Sequence, residues 1–195
     1  MRIIGVDPGT VCCGYGIVES GVRSQESGVT SKTQNSKFKT QNSKLIHVTS
    51  GEIRMNKRDP LPERLKLLYN SLKTVMYEYK PTHLCIEKIF YHKSIRSALA
   101  LGSSRGVILL LAAENDLPVF EYNSTELKMA LTGYGRAEKR QVQQMVKIIL
   151  NLNSPNLSED STDALALCIC HINSGSRISM RGQGSSKTLV PRDPA

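Results

Sequence analysis

Apolar residues in this chain recur in short runs and one-sided stripes, and prolines, glycines and polar clusters mark where each pattern ends. Ile3, Ile4 and Val6 make a run that stops at Asp7, Pro8 and Gly9, a length and boundary that suit a buried strand. Tyr15 to Val18 supplies the returning strand of a hairpin. Leu45 to Arg54 alternates well enough to complete an antiparallel meander. Pro60 and Pro62 open a helix in which Leu61, Leu65, Leu68, Leu72, Val75, Met76 and Tyr79 share one face, and Pro81 ends it. Thr82 to Ile89 reads as a short buried strand with Glu87 near its exit, and strand, helix, strand predicts a parallel right-handed crossover beside the first strand. Ser94 to Asp116 is a long helix with small residues at Ala98, Gly102 and Gly106. Val119 to Tyr122 is a strand, and Asn123 or Ser124 caps a short helix through Leu131. After the Gly133-Tyr134-Gly135 loop, Val142, Met145, Val146, Ile149 and Leu150 mark an amphipathic helix. Asn151 to Leu157 connects it to a last helix, capped by Ser158 and running to about Ile172. This order predicts an α/β domain, a mixed five-stranded sheet with helices on both faces.

Between the second and third strands the pattern disappears. Residues 21–44 are polar and rich in Ser, Thr and Asn, and KTQNSKF from Lys32 is nearly repeated as KTQNSK from Lys39. The segment reads as a flexible polar insertion in a strand–strand loop, and residues 175–195 read as a disordered basic tail. Residues 1–174 are then one domain. The formal net charge of +9 invites a polyanionic partner, but the insertion holds five Lys/Arg against one Glu and the tail four against one Asp. Charge therefore supports nucleic acid only modestly. No apolar run reaches the ~18 residues that span a bilayer, and the N-terminus lacks a basic-then-apolar signal pattern. The five cysteines have no C-x-x-C spacing. They read as reduced, mostly buried thiols of a cytoplasmic protein that makes no membrane contact.

A carboxylate at the end of a central strand is costly unless a cation or hydrogen bonds satisfy it. Asp7 either fits that description or simply caps the Pro-Gly turn. Asp160 and Asp163, three apart, share a helix face with Cβ atoms roughly 5–6 Å apart. Acids suit a first helical turn, yet ALALCI from Ala164 to Ile169 is almost wholly apolar, so Asp163 is expected to face the sheet. With no Lys or Arg close by in sequence, the pair calls for Mg²⁺, with Mn²⁺ as a substitute. Glu87 beside Asp7 completes four acids converging at the carboxyl ends of the central strands. Acid on strand, acid on strand, acid pair on a late helix is the pattern of ribonuclease H superfamily nucleases. In that arrangement two cations about 3.5–4 Å apart activate water and stabilise the leaving oxygen.

Just past Glu87, IFYHKSIR sets Phe90 and Tyr91 among Lys88, His92, Lys93 and Arg96. Such a mixture suits stacking on unpaired bases and holding phosphate, and it equally makes an ordinary strand-to-helix loop with a partly buried Phe. Lys139 follows Gly-x-Gly at a helix start, where backbone N–H groups favour phosphate. Arg105 either contacts DNA or reaches solvent. His171 reads as a packed or surface histidine rather than a ligand.

The runs IIGVDPGT…GYGIV, LPERLKLLY, CIEKIF, SALALG-x-x-RGV, LPVFEYN, KMALTGYGRAEKRQVQQMV and EDSTDALALCICH resemble the RuvC family of bacterial Holliday-junction resolvases, in family order and from Met1 to His171. The resemblance implies a ribonuclease H-like fold and paired, metal-dependent cleavage of opposed strands, with two Mg²⁺ per subunit. It makes Asp7, Glu87, Asp160 and Asp163 the metal-holding catalytic acids. It places Phe90 at the aromatic position that stacks in the opened junction, and Lys128 and Lys139 near the scissile phosphate. It implies four-way junction DNA, a second copy of the chain and the RuvA–RuvB branch-migration complex as partners. The insertion at 21–44 is longer than the family's usual connection, and nothing carries over to the tail.

Two rival readings stand beside this one. Asp-x-Gly-Thr (Asp7, Gly9, Thr10) also opens actin-like and sugar-kinase ATPases, but 195 residues leave no room for their second half and second phosphate loop. A non-catalytic nucleic-acid-binding relative would have degenerate acids, and all four are present. The stripe of Ala98, Gly102 and Gly106 either packs on the protein's own sheet or faces a homodimer partner.

Overall fold

Three strands form the meander that the alternation predicts: β1 (Arg2–Asp7), β2 (Cys12–Gly21) and β3 (Lys44–Arg54), paired antiparallel in turn. The computed structural model describes residues 1–21, 44–88, 95–152 and 157–178. The polar insertion from 22 to 43, the aromatic-basic segment from 89 to 94 and the tail from 179 lie outside the described residues. After β3 comes α1 (Leu61–Tyr79), whose predicted apolar face is the buried one, with Leu68, Leu72 and Met76 innermost. Lys80 caps it in the left-handed region (φ 46°) and donates its N–H to the Met76 carbonyl, after which Pro81 cannot continue the helix. The chain returns as β4 (His83–Glu87), parallel to β1. Next come α2 (Ile95–Glu114), β5 (Val119–Tyr122) parallel to β4, α3 (Ser124–Thr132), α4 (Lys139–Ile149) and α5 (Glu159–Ile178). Strand order is β3-β2-β1-β4-β5, a mixed five-stranded sheet.

Strand alternation sends neighbouring residues to opposite faces, and each face has its own core. Ile4, Val6, Ile17, Leu84 and Ile86 meet α1 and α2 on one side. Ile3, Val18 and Cys85 meet α3, α4 and α5 on the other. On that second face α5 lies directly on the sheet backbone. A Cβ at Gly5 would overlap the Ala164 carbonyl oxygen, and one at Gly14 the Asp160 carbonyl oxygen. Gly5, Gly14 and Gly16 are therefore the seat of α5. They bring the start of that helix down onto the end of β1.

The structure corrects or narrows the sequence reading at three places. The last helix runs to Ile178, past Ile172 and into the stretch read as tail. Asn173, just before Gly175, donates to the Ala130 carbonyl at 3.2 Å and ties this helix to α3. The small-residue stripe of α2 does not seat that helix on its own sheet: a Cβ added at Gly102 or Gly106 meets nothing within 4 Å. The buried side of α2 is Ser104, Ile108, Leu111 and Ala112. Arg105 neither reaches into solvent nor stands free for DNA. It donates to the Glu87 carbonyl at 2.8 Å and pairs with Glu121, tying α2 to the ends of β4 and β5. Among the described residues, α2 alone is long and apolar enough to cross a membrane by composition. It carries this arginine anchor and packs on α1.

Candidate active site

Two strand ends and one helix start supply the acids. Parallel pairing sets Val6 beside Ile86, so Asp7 and Glu87 leave neighbouring strands together, on the face that α5 covers. Ser158 begins α5: its hydroxyl oxygen accepts from the Ser161 N–H at 3.2 Å and its carbonyl from the Thr162 N–H at 3.0 Å. The first turns of α5 then present Asp160 and Asp163 over β2 and β1. Behind them, helix α4 starts at Lys139, whose ammonium lies 3.0 Å from Asp163 and 3.2 Å from Glu159. A cleft of about 250 Å³ opens between these elements, lined by Asp7, Glu87, Asp163, Lys128 and Lys139, with Leu127, Val142 and Leu167 as its apolar wall.

The electrostatics of the cleft are those of charge in excess. Burial pushes the Asp7 carboxyl up to about 7, and the charges of Asp163, Glu87 and Asp160 add to the rise. Burial raises Glu87 as well, with Asp163 adding to it. Burial likewise lifts Asp163, although Lys139 pulls it back. Partial burial works against the Lys139 ammonium, but its ion pairs with Asp163 and Glu159 outweigh that and hold it above the usual lysine range. Lys139, in contact with Asp163, and Lys128 thus share the cleft with several crowded carboxylates. An all-oxygen donor set whose ionised forms repel one another fits hard divalent cations.

The sequence expectations map onto this site unevenly. Asp7, Glu87, Asp163, Lys128 and Lys139 share the cleft. Asp160 is not part of its wall: it stands on the far side of Asp7, where one of its oxygens lies within 4.8 Å of ligand atoms of Cys12 and Glu52. Lys88 is exposed at the exit of β4 and Arg96 is exposed in the first turn of α2, both outside the cleft. Phe90, Tyr91 and Lys93 lie outside the described residues. His171 is packed, as expected, with its Nδ1 2.6 Å from the Tyr122 hydroxyl and its ring 4.2 Å from Phe120. All five cysteines are free thiols, and four of them are buried.

Sequence reasoning missed Glu52 and Cys12. Strand register brings them in: Asp7 pairs with Gly14, and Gly14 pairs with Glu52, so the two acids occupy one row of the sheet across a glycine. Nothing in LIHVTSGEIR by itself marks Glu52. The signal lies in the pairing, which needs β2 and β3 aligned.

Comparison with known proteins gives the family. A family model described as "Crossover junction endodeoxyribonuclease RuvC" matches residues 28–171, a span that contains Glu87, Lys128, Lys139, Asp160 and Asp163 and begins after Asp7. The protein described as crossover junction endodeoxyribonuclease RuvC from Syntrophotalea carbinolica is 43% identical over 172 residues, covering 88% of this chain and 93% of the relative. The solved structure of Thermus thermophilus RuvC superposes with a TM-score of 0.74 at 25% identity, covering 92% of this chain and 97% of that one. The T. thermophilus protein in complex with a Holliday junction substrate also superposes at 0.74, with 22% identity and coverage of 91% and 96%. The mixed sheet with helices on both faces is the ribonuclease H-like fold of these resolvases. Matched over most of its length in sequence and in structure, this chain belongs to the RuvC family of crossover junction endodeoxyribonucleases.

Proposed function

We propose that this chain resolves Holliday junctions by metal-dependent hydrolysis of phosphodiesters in opposed strands. The observation that carries this reading is the meeting of Asp7, Glu87 and Asp163 in one cleft with Lys128 and Lys139, in a chain of the RuvC family. Asp7, Glu87, Asp160 and Asp163 are the residues that would hold two Mg²⁺, with Mn²⁺ as a substitute. When bound, such cations supply Lewis acidity toward the phosphodiester and activate water as the nucleophile. The chain's own part is to hold four acids in place on two strand ends and one helix, and to keep two ammonium groups beside them. Lys139 stays protonated through its ion pairs, ready to stabilise charge developing on phosphate. Lys128 faces the same cleft from α3. The apolar wall of Leu127, Val142 and Leu167 keeps one side dry, which strengthens each of these interactions. Phe90 and Tyr91 are proposed to stack on unpaired bases, with Lys88, Lys93 and Arg96 on the phosphates around them.

A four-way junction has near two-fold symmetry, and a homodimer with two sites matches it. The face of α2 turned away from the sheet suits that role. Ile95 (70% exposed), Leu99 (69%) and Leu110 (54%) continue the stripe of Gly102 and Gly106, where a close-approaching helix would find no Cβ in its way. By family resemblance, RuvA–RuvB is the partner that brings this dimer to a junction. The direct test is a labelled synthetic four-way junction in Mg²⁺, compared with a linear duplex of the same sequence. Cleavage of the junction but not the duplex is expected. Equal cutting of both would remove junction selectivity, and tight ATP binding without cleavage would favour an actin-like ATPase.

A further inference from the structure

Glu52 lies outside the cleft, beside Asp160 at the start of α5. It sits on β3 with its side chain 14% exposed, and it pairs with Arg54 at 2.7 Å. The neighbouring Ser158 hydroxyl at the start of α5, and then Arg54, hold its carboxyl below the usual glutamate range. Ligand atoms of Cys12, Glu52 and Asp160 all lie within 4.8 Å of one another, and the single S–H of Cys12 can serve one of the two carboxylates at a time. Two strands therefore converge on Asp160 at the start of α5: β2 through Cys12 and β3 through Glu52. Gly14 lets the helix backbone descend to where these contacts are made.

We infer that Glu52 and Cys12 are positioning residues for Asp160, fixing the side-chain direction in which it can hold a cation. The inference rests on the nuclease reading above. Asp160 does not line the cleft wall, so its direction has to be set by groups on its own side of Asp7, and Glu52 and Cys12 are the groups found there. Neither touches the cleft, so neither is catalytic. Each acts by limiting where the Asp160 carboxylate points, as outer-shell partners do for metal ligands.

The test pairs a truncating with a conservative substitution at each position. Cys12→Ala removes the thiol donor and Cys12→Ser keeps a donor. Glu52→Ala removes the acceptor, and Glu52→Gln keeps an acceptor while removing the charge. Mn²⁺ binding to the DNA-free protein is measured by calorimetry, and the Mn²⁺ concentration for half-maximal single-turnover junction cleavage is measured in parallel. Both alanine variants should bind Mn²⁺ about tenfold more weakly and need correspondingly more of it. Cys12→Ser and Glu52→Gln should stay within about twofold of wild type on the same scale. Wild-type Mn²⁺ affinity in Cys12→Ala overturns the inference without depending on how well Glu52→Ala folds. Equal weakening in Glu52→Gln and Glu52→Ala would assign the effect to charge alone and overturn it too. A wild-type protein that neither binds Mn²⁺ nor cuts junctions would instead overturn the nuclease reading.

Discussion

Replacing Asp7 with Asn should make the metal-free protein more stable at alkaline pH while abolishing cleavage. The Asp7 carboxyl ordinarily titrates near 3.8 and is pushed to about 7 here, chiefly by burial and then by Asp163, Glu87 and Asp160. Folded Asp7 binds its proton more tightly than unfolded Asp7 does, so acid favours the fold. That contribution is fully present below pH about 4 and is lost as the pH rises through about 7. At about 1.36 kcal/mol per pH unit, an ionised Asp7 at pH 8 costs the fold roughly 4 kcal/mol. The amide has no charge to desolvate, so Asp7→Asn should gain roughly 2–4 kcal/mol at pH 8, the lower end allowing for relaxation around the ion, and less than about 1 kcal/mol at pH 4. Urea unfolding of both proteins in EDTA at the two pH values measures this directly. Saturating Mn²⁺ should then stabilise the wild type and leave Asp7→Asn almost unmoved, since ligand stabilisation follows affinity for the folded state. A gain that is the same at both pH values, or a loss of stability at pH 8, would refute the claim that Asp7 is a crowded, buried ion.

The other acids should behave alike in activity: Glu87→Gln, Asp160→Asn and Asp163→Asn should each abolish cleavage and leave junction affinity nearly intact, because phosphate contacts dominate that affinity. Normal cleavage by any one of them in Mg²⁺ removes it from the site. Lys139→Ala and Lys128→Ala should lower the single-turnover rate by about 10²–10³ and affinity far less. A loss confined to affinity would make them plain phosphate contacts. Gly102→Leu should fold at least as well as wild type, gaining up to about 1 kcal/mol of helix propensity in chemical denaturation because nothing crowds its Cβ. It should nevertheless sediment as a monomer that nicks junctions poorly, and a dimer of normal activity would take α2 out of the interface.

Much of this architecture is legible in the chain, for identifiable reasons. Short apolar runs ending at Pro8-Gly9 and Pro81 give strand and helix ends locally, and the α1 face from Leu61 to Tyr79 follows from a period that no tertiary contact disturbs. Asp7, Glu87 and Asp163 announce themselves because each is an acid beside an apolar run. What stays hidden depends on alignment between elements. Glu52 joins the neighbourhood of Asp160 only through the register of β2 and β3. Arg105 looks free in sequence because its partners, the Glu87 carbonyl and Glu121, come from two other strands. The extension of α5 past Gly175 runs against the local propensity of Gly and Ser, so a local reading ends the helix early. The outward face of α2 is ambiguous for the opposite reason: small residues permit close packing on either side, and only the fold shows that a Cβ at Gly102 or Gly106 would meet nothing within 4 Å.

The most direct test of the central claim is to follow both cuts in a single four-way junction whose opposed strands carry different labels, with the wild-type protein in Mg²⁺. The account predicts cleavage at symmetric positions in both strands, yielding two nicked duplexes, with no cleavage in EDTA or by Asp7→Asn. Junction binding without cleavage in Mg²⁺ or Mn²⁺ would contradict it and leave a nucleic-acid-binding protein in place of a resolvase.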